Sequence, residues 1–345
     1  MRDDRNCQWR VAARPDGNVR RTDFEYREEP VPAIGDGEFL VRTLYLGLRP
    51  VMRMYMQGRV VAGEKALAIG DVIHGRGVAQ VMESRHPDYR PGDLVHGQLG
   101  WQTWKASRGT SAERFLHLRS PDLPASLGAG VLGMNGFSAW TGFTRCAEPH
   151  PGDVVVVSAA AGGVGSTVIQ IARILGCRVI GIAGGPEKCA LIRQLGCEAS
   201  IDYRNENLPQ RLTALCPDGI DIYFDNVGGD ILSACLDRLA MGARVVLCGS
   251  ISEYTLPAPY GLNNYTRLRA VNGRMQGFFV YNYAPLFAEA ERQLADWVRT
   301  GQLKPVQVIV YGFENMPEAL ARLYSGQNVG VQICQVRELT AGTQE

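Results

Sequence analysis

The sequence predicts an α/β protein: a β-rich region followed by a doubly wound parallel sheet. Three observations carry this reading. The first ~125 residues hold short apolar runs broken by frequent Gly, Pro and Asp. From Gly128 onward, strand-like runs alternate with helix-like patterns, which is how a parallel sheet with crossover helices is written. Third, the apolar run Val154–Val157 leads into a glycine turn and then into a helical run.

Taken in order, the β-rich region offers strand candidates at Glu38–Tyr45, Val72–Met82, Asp93–His96 and Phe115–Leu118, with Pro91-Gly92-Asp93 as a turn before the third. The alternating region then gives strand Val154–Val157, helix 163–175, strand Arg178–Ala183, helix 187–195, strand Ile220–Asp225, helix 230–240 and strand Arg244–Gly249. Pro285–Thr300 places Phe287, Ala290, Leu294 and Trp297 on one helical face. Residues Pro305–Cys334 mix strand, a helix at Pro317–Tyr324 and strand again. The expected division is 1–127 joined by 305–345, and 128–304. At 345 residues, two domains are the expectation.

The charge balance is even, with 36 basic and 35 acidic residues. No basic stripe points to nucleic acid, no cationic amphipathic segment points to a membrane surface, and no apolar run approaches the about 20 residues of a membrane span. The first residues, Met-Arg-Asp-Asp-Arg-Asn, carry no apolar signal core, so the expected location is the cytoplasm. The nine cysteines have no C-x-x-C spacing and the five histidines no H-x-x-x-H pair, so neither a disulfide framework nor a metal site is expected.

Val157-Ser-Ala-Ala-Ala-Gly-Gly-Val-Gly165 followed by Thr167-Val-Ile-Gln-Ile-Ala-Arg-Ile-Leu-Gly176 is the strand–turn–helix arrangement that holds a dinucleotide. Its glycines let the backbone approach a pyrophosphate at a helix N-terminus. The strict G-x-G-x-x-G spacing is absent, and glycines also serve packing at such turns. The next strand ends without the acidic residue usual for an NAD ribose. It reads Gly184-Gly185-Pro186-Glu187-Lys188, and a lysine there attracts a 2′-phosphate, so NADPH is favoured over NADH. An ordinary solvated role for Lys188 stays open. Asp225 and Asn226 end a strand where ligands bind such sheets, with a helix N-cap as the alternative use.

Several motifs in this order resemble one family over nearly the whole chain. They include His86-Pro-Asp-Tyr-Arg-Pro-Gly-Asp-Leu-Val-His-Gly97, Leu132-Gly-Met-Asn-Gly-Phe-Ser-Ala-Trp-Thr-Gly142, the 159–165 turn, Gly184–Lys188 and Phe224-Asp-Asn-Val-Gly-Gly229. Cys248-Gly-Ser-Ile-Ser-Glu-Tyr254, Arg274-Met-Gln-Gly-Phe-Phe-Val280 and Gly312-Phe-Glu-Asn-Met-Pro-Glu-Ala-Leu320 follow. The family is the zinc-independent branch of the medium-chain dehydrogenase/reductases. Within it, the resemblance is to the leukotriene 12-hydroxydehydrogenase/prostaglandin reductase group, with its alkenal double-bond reductases and curcumin-reductase-like enzymes.

The resemblance implies a GroES-like catalytic domain, a Rossmann domain, a homodimer and NADPH-dependent reduction of the carbon–carbon double bond of enones or enals. Gly162, Gly163, Val164 and Gly165 would seat the pyrophosphate. Gly184, Lys188 and Tyr203 would face the adenosine 2′-phosphate. Asn226, Gly249, Phe278, Phe279, Val280 and Asn328 would line the nicotinamide end. With no metal expected, Tyr254 matches the tyrosine that polarises the substrate carbonyl or donates a proton. Its other reading is a loop cap. Tyr265 is a second pocket candidate or a packing residue.

The chain also departs from the family pattern. Arg49-Pro-Val-Met-Arg53 stands where Asp-Pro-Tyr-Met-Arg is common, so Val51 replaces a pocket tyrosine. Trp140 replaces a tyrosine, and Asn328-Val-Gly-Val331 lacks a terminal lysine. Trp101 and Trp104 fall in a region that borders the pocket in relatives, or they pack a core. Quinone or alcohol oxidoreduction on the same scaffold, and a non-catalytic NADPH-binding protein, are the alternative functions. Zinc alcohol dehydrogenases usually carry a Gly-His-Glu motif, whereas Gly70–Gly75 holds only His74.

Overall fold

The computed structural model describes residues 4–61, 63–256, 258 and 260–339. It divides into two compact units. One comprises the residues up to Gly133, Gln307–Asn328 and those from Gln332 onward; the other comprises Met134–Val306 with Val329–Val331.

The first unit is β-rich. Strands β1 (Arg5–Val11) and β2 (Phe24–Pro30) form an antiparallel hairpin. A seven-stranded sheet is built from β3 (Phe39–Leu48), β4 (Arg76–Ser84), β5 (Leu94–Gln98), β6 (Trp104–Ser107) and β7 (Leu116–His117), completed by two strands late in the chain. β3 is its centre and is buried over nearly its whole length, which its run Phe-Leu-Val-Arg-Thr-Leu-Tyr-Leu suits. Phe39, Leu46, Ile73, Trp101 and Phe115 gather in the core beside it. Just after β3, Met52–Tyr55 forms one short helical turn, α1.

The second unit opens with helix α2 (Met134–Thr141), which passes into a π-helical turn at Gly142–Ala147. Its parallel sheet comprises β8 (Val154–Val157), β9 (Arg178–Ala183), β10 (Ala199–Asp202), β11 (Ile220–Asp225), β12 (Leu239–Leu247) and β13 (Arg274–Gly277). Their spatial order is β10-β9-β8-β11-β12-β13. The helices are α3 (Gly163–Ile174), α4 (Pro186–Gln194), α5 (Leu208–Leu215), α6 (Gly229–Leu236), the short α7 (Arg267–Ala270) and α8 (Phe287–Arg299). The strand order reverses between β8 and β11, so their carboxyl ends flank the crevice in which a doubly wound sheet takes its ligand. The four valines of β8 fit a strand covered on both faces. On α8, Phe287, Ala290 and Leu294 are buried as their spacing predicts, and Phe137 stacks on Phe287 at 4.6 Å between ring centroids.

The chain then returns to the first unit through β14 (Gln307–Tyr311), α9 (Met316–Tyr324) and β15 (Val331–Gln335). β15 pairs antiparallel with β3.

Several boundaries differ from expectation: β4 spans Arg76–Ser84 rather than 72–82, β3 and β5 run past their expected ends to Leu48 and Gln98, and two further differences lie at α6 and β12. The helix expected over 230–240 ends at Leu236, because the Ile220 N–H bonds the Arg238 carbonyl at 2.8 Å and Leu239 already pairs with Ile220. The strand expected over 244–249 runs instead over Leu239–Leu247. Cys248 and Gly249 leave it because their N–H groups turn to the Asp225 carbonyl, at 2.8 and 3.2 Å.

Candidate active site

The glycine turn sits at the carboxyl end of β8. Ala159 adopts a positive φ of 46°, and the Gly162 N–H closes the turn on the Ala159 carbonyl at 2.8 Å. Gly162 is the N-cap of α3 and gives it no side-chain cap. A Cβ on Gly165 would lie 2.3 Å from the Ala159 carbonyl oxygen, so only glycine lets α3 start this close to the turn. Gly163 and Val164 complete a helix start with little side-chain bulk, the geometry expected of a pyrophosphate seat. Gly330 lies against this turn, its N–H bonding the Ala161 carbonyl at 2.7 Å. Asn328, two residues earlier, belongs to the first unit.

The residues expected to face a 2′-phosphate gather where β9 and β10 end. Asp202 ties the two loops together. Its Oδ1 accepts from the N–H groups of Gly185 (2.8 Å) and Arg204 (3.1 Å), and its Oδ2 from the Asn205 side chain at 2.7 Å. Those bonds, led by the one from Gly185, hold its carboxyl below the ordinary range. The point where a Cβ on Gly184 would lie is 2.9 Å from both a Tyr203 ring carbon and Arg204 Nε, so both side chains drape over that glycine. Lys188 stands half-buried in the first turn of α4, its ammonium pKa pulled down by burial and then by the charge of Arg204. A phosphate placed here relieves that repulsion between cations. The structure thus brings Gly184, Lys188 and Tyr203 together and adds Arg204, which sequence reading passed over. Its signal was a cation directly after Tyr203 at the end of the short buried strand β10.

At the carboxyl ends of β11 and β12, Asn226 is held by two bonds to Ser158. Its N–H donates to Ser158 Oγ and its Nδ2 to the Ser158 carbonyl, both at 2.8 Å. Gly249 stands beside it, and the point of a Cβ on Gly249 would lie 3.6 Å from Tyr254 Oη. Burial raises the Tyr254 phenol above its ordinary pKa, partly offset by a hydrogen bond from the Ser250 backbone. Asn226, Gly249 and Tyr254 are therefore one cluster. Phe278 packs where a Cβ on Gly142 would go, beside Phe224. Phe279 is 37% exposed and meets Tyr281 edge-on, and Val280 begins a 3-10 turn. Tyr265 is 58% exposed in the turn before α7, and no contact joins it to this cluster among the described residues.

The remaining candidates lie within cores. Trp101 is fully buried in the first unit and stacks on Phe24 at 5.6 Å; Trp104 packs with Ile34 and Leu40. Trp140, in the second unit, is also buried, with its Nε1 on Gln293 and Arg145 over its ring at 4.9 Å. Val51 is half-buried against the first core. His74 Nε2 meets the Lys65 carbonyl at 2.9 Å. His96 is buried and pushed down to about 3 by burial and then by Arg76, Arg119 and Arg49. Among the described residues, no group of three His, Cys, Asp or Glu side chains stands together as a metal set, and no helix is long and apolar enough to cross a membrane.

Comparison with known proteins matches the same two segments. Residues 7–115 match the N-terminal domain of oxidoreductases, and residues 163–299 match the zinc-binding dehydrogenase model. The chain is 37% identical to the NADPH-dependent curcumin reductase of Escherichia coli, over 96% of this chain and 97% of that one. It is 37% identical to the NADP-dependent 2-alkenal reductase of Nicotiana tabacum (88% of each chain) and 36% identical to rabbit (Oryctolagus cuniculus) prostaglandin reductase 1 (93% and 91%). The crystal structure of CurA from Vibrio vulnificus with NADPH superposes with a TM-score of 0.89 at 35% identity, covering 96% of this chain and all of that one. The chain belongs to the zinc-independent branch of the medium-chain dehydrogenase/reductases, the NADPH-dependent oxidoreductases that include the curcumin, 2-alkenal and prostaglandin reductases.

Proposed function

We propose that this protein reduces the carbon–carbon double bond of α,β-unsaturated ketones or aldehydes with NADPH. The observation that carries this is the Asn226–Gly249–Tyr254 cluster at the carboxyl ends of β11 and β12, in a chain that also has both phosphate-binding positions. Relatives named for curcumin, 2-alkenal and pulegone reduction support the substrate class.

The residues fit the cofactor. Gly162–Gly165 offer helix N–H groups to the pyrophosphate, while Lys188, Tyr203 and Arg204 offer charge and a hydroxyl to the 2′-phosphate. NADPH, when bound, supplies a hydride, which adds to the β-carbon of the enone. Negative charge then develops on the substrate carbonyl oxygen. In this reading Tyr254 donates a hydrogen bond to it, an interaction worth roughly 2–4 kcal/mol in the transition state. Its raised pKa keeps the phenol protonated at neutral pH. The α-carbon takes a proton, from Tyr254 or from water. Asn226 presents an amide oxygen that accepts no hydrogen bond among the described residues, which suits a carboxamide NH2. The site works in the cytoplasm and in a homodimer, by the same reading.

The test is NADPH oxidation against enones, enals, quinones and saturated ketones, with the products identified. A saturated ketone formed from an enone, with NADPH preferred over NADH, supports the reading. An alcohol or hydroquinone as the sole product refutes it.

A further inference from the structure

Beneath the Asn226–Tyr254 cluster lies a buried carboxylate that the chemistry above does not use. Asp225 ends β11 and is 1% exposed. Its Oδ1 accepts from Tyr223 Oη at 2.6 Å, Ser158 Oγ at 3.0 Å and the Val227 N–H at 3.1 Å. The Gly228 N–H reaches both oxygens at 3.1 Å. Its partners lead directly to the cluster. Ser158 holds Asn226 at both its backbone and its side chain. The Val227 carbonyl takes Ser252 Oγ at 2.6 Å and the Ser252 N–H at 3.2 Å, two residues before Tyr254. The Asp225 carbonyl takes the N–H groups of Cys248 and Gly249.

An ordinary helix cap does not explain this arrangement. The N-cap of α6 is Gly228, and a small exposed polar side chain there would serve the helix without burying a charge. What the buried carboxylate does achieve is to fix two loops at once.

We propose that Asp225, braced by Tyr223 and Ser158, is a positioning residue that sets Asn226 and the Tyr254 loop in register for hydride transfer. The inference rests on the functional reading above. The titratable groups facing Asp225 are Tyr223 on its own strand, Cys235 of α6, Cys248 after β12, and Tyr254. All are neutral in their ordinary forms near pH 7, so the negative charge of the network is that of Asp225. Burial raises the Asp225 carboxyl above its ordinary pKa, while the bonds from Tyr223, Gly228, Val227 and Ser158 pull it down. Loss of the Tyr223 hydroxyl raises it further. Protonation weakens its grip on the loop N–H groups, so turnover falls on the acid side.

The experiment compares Tyr223→Phe and Asp225→Asn with the wild type. In Tyr223→Phe, kcat should fall about tenfold to a hundredfold, with the Kd for NADPH, read by fluorescence, within twofold. The primary deuterium isotope effect from NADPH labelled at the transferred position should increase, and the acid limb of kcat should move to higher pH. Without cofactor, hydrogen-exchange protection should drop at 226–229 and 248–254 while the Tm stays close to wild type. Unchanged kcat and loop protection in a folded Tyr223→Phe protein overturn the inference. A loss of NADPH affinity as large as the loss of kcat also overturns it, because that is a general loosening. Absence of enone turnover by the wild type overturns the functional reading, and this inference with it.

Discussion

Replacing Lys188 by Ala should cost NADPH binding and leave NADH binding nearly untouched. The two coenzymes differ only in the 2′-phosphate, so any difference reports on that group. Lys188 is half-buried and poorly hydrated, so a charge-assisted hydrogen bond from it is worth roughly 1.5–3 kcal/mol. At about 1.4 kcal/mol per decade this is roughly a 10- to 150-fold rise in the Kd for NADPH. Arg204 is exposed, and an exposed ion pair contributes about 0.2–1 kcal/mol, so Arg204→Ala should raise the same Kd only about 1.5- to 5-fold. Its share should fade with added salt, whereas that of the half-buried lysine should persist. The assay is fluorescence titration of both coenzymes at low and high ionic strength, because KM equals Kd only when chemistry is slow. Equal weakening of NADPH and NADH by Lys188→Ala would refute the reasoning, as would an Arg204 effect larger than that of Lys188.

Three further expectations follow from other parts of the molecule. Tyr254→Phe should lower kcat about tenfold or more with NADPH affinity within twofold; unchanged turnover in an assay limited by hydride transfer removes Tyr254 from the chemistry. Gly165→Ala places a methyl 2.3 Å from the Ala159 carbonyl, costs about 1–3 kcal/mol of stability and weakens both coenzymes alike; calorimetry and titration check this. Glu64 is buried in an ion pair with Arg76. Burial raises its pKa, but the charge of Arg76 and hydrogen bonds from Gln98 and Arg76 carry it below the ordinary value. Its stabilisation is therefore present above the unfolded value of about 4.3 and is lost as pH falls through the lower folded value. Glu64→Gln should cost about 3–5 kcal/mol at pH 7 and flatten the acid limb of a denaturation series.

The parallel sheet was legible because its central strands are buried on both faces and so appear as unbroken apolar runs. β10 was not, since four residues, Ala199–Asp202, between helical patterns give no period to detect. β13 was missed for the opposite reason: it is the sheet's edge strand, and its Arg and Gly ends are exposed. The glycine turn and Lys188 could be singled out because each motif lies within a few residues of chain. The tryptophans were ambiguous because a large aromatic side chain reads the same in a core as in a pocket. The network around Asp225 was hidden by distance, since Ser158, which joins it to Asn226, precedes it by 67 residues.

The residues proposed to bind the coenzyme divide their work by physical mechanism, and that division can be tested as a pattern. The pyrophosphate seat depends on missing side chains, so damage at Gly165 must be blind to the 2′-phosphate. The β9–β10 corner depends on charge, so damage at Lys188 must be selective for NADPH and that at Arg204 sensitive to salt. The network under Asn226 acts by holding two loops in place, so damage at Tyr223 must spare both affinities and appear in kcat. Non-selective weakening, selective weakening and slowed turnover at intact affinity are three different signatures from three substitutions in one unit. If Gly165→Ala discriminated between the coenzymes, the turn would lie against the adenosine rather than the pyrophosphate. The placement of Lys188 at the 2′-phosphate would then fail too, because the Gly162–Gly165 turn and the β9–β10 corner belong to one unit and a shift of the coenzyme along the first moves it off the second.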